Sequence, residues 1–90
     1  MKFDDAADCL EALGNPTRLK IYRLLARSAD GMAVGRLQGR LDVAASTLSH
    51  HLKALIAAGL VRQTRDGTSL ICRADGARLR DLISYLGEGR

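Results

Sequence analysis

The chain has 90 residues, 47% hydrophobic and 27% charged, with a formal net charge of +4 and two cysteines. That composition describes one small globular domain over residues 1–90, too apolar for a disordered segment and too poor in cysteine for a secreted disulfide scaffold. Its aromatics, Phe3, Tyr22 and Tyr85, leave an aliphatic core and exclude the stacking platforms that single-stranded nucleic acid requires.

Asp4 to Leu13 reads as a first helix, with Phe3, Ala6, Ala7, Leu10 and Leu13 on one side and Gly14 as its stop. This end is acidic. Residues 1–13 set Lys2 against Asp4, Asp5, Asp8 and Glu11, a balance of −3, whereas residues 14–90 carry +7. A polyanion would meet the basic part, with the acidic segment turned away. Asp4 and Asp5 stand where a secretory leader needs its apolar run. The longest apolar stretch, Ala54 to Val61, is far too short to span a bilayer. A cytoplasmic protein with no membrane contact is therefore expected.

Asn15 caps a second helix, and Pro16 takes its first position, where a missing N–H costs nothing. Leu19, Ile21, Tyr22, Leu24 and Leu25 give it a broad apolar face through Arg27, while its charged residues Arg18, Lys20, Arg23 and Arg27 are all basic. Ser28 to Gly31 reads as a turn and Met32-Ala33 as a very short strand. Val34, Leu37 and Leu41 mark a third helix, with Arg36 and Arg40 outside. Asp42 to Ala45 is then a tight connection, of helix-turn-helix length, into a fourth helix.

That fourth helix, within Ala44–Gly59, carries Leu48, Leu52, Leu55 and Ile56 at helical spacing, so that stripe is expected to face a core. Its other face gathers Ser46, Thr47, Ser49, His50 and Lys53 in the first two turns, with no carboxylate among them. Short hydrogen-bonding groups at the positive end of a helix dipole suit the major groove of duplex DNA; a solvated polar face is the plain alternative. Leu60–Arg65 and Thr68–Arg73 alternate like strands about Asp66-Gly67, a strong hairpin signal. A fifth helix starts at Asp75, with Leu79, Leu82, Ile83 and Leu86 as its stripe.

The expected fold is mainly α with a small β-hairpin, in the order α-α-(short β)-α-α-β-β-α: a winged helix-turn-helix. Arg62, Arg65 and Thr68 on the hairpin could reach phosphates or a narrow minor groove beside the fourth helix.

The blocks LGNPTRLKIYRLL (13–25), STLSHHLKALIAAGLV (46–61) and RDGTSLICR (65–73) resemble the ArsR/SmtB family of bacterial repressors across nearly the whole chain. The resemblance implies a homodimer on double-stranded operator DNA with an inverted repeat, released by an inducer such as a metal or metalloid ion or a thiol-reactive species. It puts Ser46, Thr47, Ser49 and His50 at the bases and Lys53 nearer the backbone, and makes the first and last helices the dimer interface, with Phe3, Leu10, Leu82 and Leu86 as candidates. Where many relatives have Ser or Thr followed by a Gln-like reader, this chain has Ala44 and Ala45. The usual cap is absent, and Ala45 can only touch a thymine methyl.

The family's familiar metal ligands are missing: the third helix reads VGRLQGRL, and the fifth has Asp75 and Asp81 but no histidine. His50 is expected to point outward, and His51 to be a structural residue bonded to the backbone. Cys9 and Cys72 remain as candidates for a thiol sensor or for thiolates binding a metalloid or metal ion, although buried cysteine usually only packs. A member without metal sensing and a winged helix used for protein–protein contact are the alternatives. No nucleophile, base and orienting group share a plausible pocket, so an enzyme is not expected.

Overall fold

The computed structural model describes residues 1–88. Its elements run α1 (Phe3–Leu13), α2 (Pro16–Ala26), β1 (Met32–Ala33), α3 (Val34–Leu41), α4 (Ala45–Ala57), β2 (Val61–Asp66), β3 (Ser69–Ala74) and α5 (Gly76–Gly87). The order is the expected winged helix-turn-helix. One addition comes from pairing. β1 joins the hairpin in a three-stranded antiparallel sheet of order β1-β3-β2, with Met32 opposite Cys72 and Ala33 opposite Ile71.

Local chemistry sets the boundaries. The Asn15 Oδ1 accepts hydrogen bonds from the Thr17 and Arg18 amides at 2.9 and 3.1 Å, which fixes the start of α2 with Pro16 inside it. Asp75 caps α5 in the same way, accepting from the Arg78 amide at 3.1 Å. The α3–α4 connection is three residues, Asp42–Ala44, because Asp42 takes a left-handed conformation, φ 53°, that turns the chain at once. Ala44 occupies the α4 cap with extended backbone and no side-chain hydrogen bond. Ala44→Ser is therefore expected to stabilise the fold by about 1 kcal/mol, read as a rise of roughly 4–8 °C in thermal midpoint.

The hairpin tip lies one residue beyond the expected place. Asp66 pairs with Ser69, so the two loop residues are Gly67 and Thr68. Only Gly67 has positive φ, 63°. Glycine at the first loop position alone is the pattern of a II′ turn, whereas Asp-Gly in the loop would need positive φ at both residues.

The core is aliphatic: Ile21, Leu25, Leu37, Leu48, Leu55, Leu60 and Val61 are all 1% exposed or less. Three expectations for α1 and α5 change. First, α1 buries its small residues Ala6, Cys9 and Ala12, which lets it approach α2 and α4 closely, and turns Phe3 and Leu10 outward. Second, Leu82 is 3% exposed and belongs to the core, so it has almost no surface to offer a partner. Third, Ile83, 60% exposed, stands beside Leu86 on the outer side of α5 in its place.

The C-terminal end of α4 is a junction. The Ala58 carbonyl accepts from the Cys9 thiol of α1 at 3.4 Å and from the Arg78 Nε of α5 at 3.0 Å. Arg78 also faces Asp5 at 3.8 Å, and the Leu60 carbonyl accepts from the Asp75 amide at 2.8 Å. Gly59, φ 77°, lets the chain leave the helix at this point.

Candidate nucleic-acid interface

Leu48, Leu52 and Leu55 pin one side of α4 into the core, and Ala45, Ser46, Thr47, Ser49, His50 and Lys53 are all exposed on the rest of it. The helix carries no carboxylate. Its first turn has no acidic residue and no cap, so the positive end of the dipole is unneutralised. Hydroxyls, an imidazole and an ammonium above a helix N-terminus can donate to phosphate oxygens and to base edges.

The wing stands beside this face. A cleft of about 160 Å³ is lined by Ser49 and Lys53 of α4, Gln38 of α3, and Gln63 and Leu70 of the hairpin. Gln38 and Gln63 bring two amides to the edge of the polar face that the sequence did not single out. Their signal was faint: Gln38 follows Val34 by four residues on α3, and Gln63 alternates with buried Val61. On the hairpin Arg62, Arg65 and Thr68 are exposed. Arg62 is partly engaged, its Nε 3.5 Å from the Asp75 carboxylate, while Arg73 donates to the Thr64 hydroxyl at 3.1 Å. Arg65 makes no ion pair among the described residues. It is the free cation nearest the tip.

The histidines diverge. His50 is exposed, whereas the Nδ1 of half-buried His51 is enclosed and has no hydrogen-bond partner. The expected backbone bond at His51 Nδ1 is thus absent. Burial, then the Arg18 and His50 charges, push its pKa below the ordinary 6.5. The unfolded chain therefore takes up a proton first as pH falls. Stability is complete above 6.5 and decreases on acidification through and below it, a fall that His51→Leu should flatten in urea melts at pH 7.5 and 5.5.

The cysteines are both free and fully buried, but engaged separately: Cys9 with Ala58, and Cys72 in mid-sheet accepting from the Gln63 amide at 3.5 Å. Burial pushes the Cys72 thiol up, away from the reactive thiolate. Among the described residues no group of three or more His, Cys, Asp or Glu is placed to hold a metal ion, and no helix is long and apolar enough to cross a membrane.

A helix-turn-helix with a three-residue turn, followed by a basic wing flanking its second helix, defines a winged helix-turn-helix DNA-binding protein. Residues 13–64 match the family described as a helix-turn-helix domain. An uncharacterised HTH-type transcriptional regulator from Methanocaldococcus jannaschii is 34% identical over 97% of both chains. Among solved structures, an ArsR-like transcriptional regulator from Rhodococcus sp. RHA1 superposes with a TM-score of 0.86 at 32% identity, covering 93% of this chain and 77% of that one. The homodimeric winged helix-turn-helix DNA-binding domain of a possible ArsR-family regulator from Mycobacterium bovis gives 0.78 at 31% identity, covering 92% and 76%. The chain belongs to the ArsR family of DNA-binding transcriptional regulators; it is not an enzyme.

Proposed function

We propose that the chain is an operator-binding repressor that acts as a homodimer on an inverted repeat. The observation that carries this is the carboxylate-free donor face of α4, with Ser46, Thr47, Ser49 and His50 exposed over its first two turns and Lys53 one turn further on. In this reading these four side chains and the Ala45 methyl meet base edges, Lys53 meets the backbone, and Arg62, Arg65 and Thr68 take phosphates or the minor groove. Exposed Phe3, Leu10, Ile83 and Leu86, on two helices that pack together, supply an apolar surface for a second copy. The M. bovis relative, which is homodimeric, supports that arrangement. Two-fold symmetry would set the recognition helices about 34 Å apart.

Selection of duplexes from a randomised pool, followed by sedimentation of the complex, tests the proposal. A palindromic consensus bound by two chains is expected. Enrichment of no consensus, or binding of one chain to single half-sites, would sink it. Arg65→Glu separates the protein-contact alternative: unaltered DNA affinity would favour a winged helix that binds protein instead.

Both candidate thiols are shut inside the core. A thiol-reactive species or metalloid would have to open the core to reach Cys9 or Cys72, and would find no third ligand there among the described residues. We therefore read both cysteines as packing groups and DNA occupancy as independent of thiol chemistry. DNA release by arsenite, cadmium or persulfide that disappears in Cys9→Ser or Cys72→Ser would overturn this.

A further inference from the structure

The strongest charge feature outside α4 and the wing is the seam between α2 and α3. Lys20 and Arg23 of α2 and its C-cap residue Arg27 follow one another at helical spacing, and Arg36 and Arg40 lie four apart on α3. All five are exposed, and none makes an ion pair or a side-chain hydrogen bond among the described residues. Arg18, the remaining cation of α2, differs: its guanidinium donates to the Ala12 carbonyl at 2.8 Å and is structural.

Two open clefts bring the five together. One, of about 370 Å³, is walled by Arg27, Arg36 and Arg40 with the Ser28–Gly31 turn. The other, of about 290 Å³, is walled by Lys20, Arg23, Arg27 and Arg40. They share Leu24, Arg27 and Arg40 and so adjoin along the seam. The carboxylates near it are Asp30, on the wall of the first cleft, and Asp42, just past Leu41. The second cleft puts Arg40 beside Lys20 and Arg23, and from Arg40 the chain leads through Asp42–Ala44 into the first turn of α4.

We propose that this seam is a second phosphate track for duplex DNA, carrying the backbone away from the end of α4 that reads bases. The proposal rests on the DNA reading of α4 given above and extends it. Lys20 to Arg27 spans about 10 Å along α2, the axial rise of about three phosphates on one strand. The cations are strung along two adjoining open clefts; they do not converge on an enclosed pocket with a buried polar group. That layout fits an extended polyanion better than a small phosphorylated ligand. Arginine forks in such a track neutralise phosphates without reading sequence, so they lengthen the footprint and leave specificity to α4.

The test compares two charge-matched doubles of the full chain. Arg23→Gln/Arg40→Gln neutralises the seam; Lys2→Gln/Arg80→Gln neutralises exposed cations at the start of α1 and on α5, neither of which lines the two clefts. Anisotropy titrations over a range of salt use random-sequence duplexes of 12 and 40 base pairs. On the long duplex the seam double should lower the slope of log affinity against log salt by about 1.8, roughly 0.9 for each lost phosphate contact, and weaken binding at least about tenfold at low salt. The control double should change the slope by far less, and the seam effect should shrink on the short duplex. Equal slopes for the two doubles on both duplexes overturn the proposal. So does a seam double that keeps the parent's DNA slope but loses binding of inorganic tripolyphosphate, which would mark a small-anion site. A parent chain that binds neither duplex overturns the DNA reading itself, and the track with it.

Discussion

Ser46→Asp/Ser49→Asp is expected to lower duplex-DNA affinity on the order of 100-fold or more while leaving the fold at least as stable as the parent. The two effects have opposite signs for one reason. The α4 N-terminus has no cap, no acidic residue in its first turn and an unneutralised dipole, so a carboxylate at Ser46 is attracted to it and should add about 0.3–1 kcal/mol of stability. The same carboxylate would face phosphates and base acceptors, removing contacts worth about 1–3 kcal/mol each and adding repulsion. Both serines are exposed, so no packing is lost. Thermal melts and DNA titrations on one preparation check it. Unchanged DNA affinity would mean that this face does not meet DNA.

Gly31→Ala is expected to be the most damaging single-methyl change in the chain, at about 3 kcal/mol or more. Gly31 has φ 79°, and an added Cβ would lie 2.6 Å from both the Cys72 carbonyl oxygen and the Arg73 Cγ. Positive φ alone costs about 1–2 kcal/mol for an L-residue. The Arg73 stem can swing away, but the Cys72 carbonyl is backbone and can move only by prising β1 from β3. Against a total stability of about 5–15 kcal/mol, the thermal midpoint should fall by roughly 12 °C or more. Gly35→Ala is the control: it sits in α3 with nothing within 4 Å, and should stabilise by about 0.5–1 kcal/mol. A Gly31→Ala variant that melts with the parent would contradict the packing of β1 on β3.

The contrast between those glycines shows where sequence reasoning stops. Helix periodicity, the Asn15-Pro16 start and a hairpin centred near Gly67 are local signals, and each reappears in the fold. The partner of Met32-Ala33 lies about forty residues away in β3, and no local pattern announces it. Gly31 therefore reads only as a turn residue until β3 is in place beside it. α1 and α5 failed differently. Each has apolar residues on more than one face, and periodicity cannot say which face goes inward; small residues decided it in α1, while in α5 Leu82 went in and Ile83 stayed out. The polar face of α4 was legible because it joins a short turn to a wing. Gln38 and Gln63 were not, since they meet only across the cleft beside Ser49.

The junction at Ala58 gives α4 the mechanics of a pivoted pointer. Its far end is held by Cys9 of α1 and Arg78 of α5, and its opening turns, seated on the core through Leu48, carry Ser46 about 18 Å away. A tilt of about 5° at the held end would swing that tip by roughly 1.6 Å, enough to pull a 2.9 Å hydrogen bond out of range. In the proposed reading, whatever presses on α1 and α5, a second chain included, would act on the base contacts through this lever, without any ligand approaching the groove.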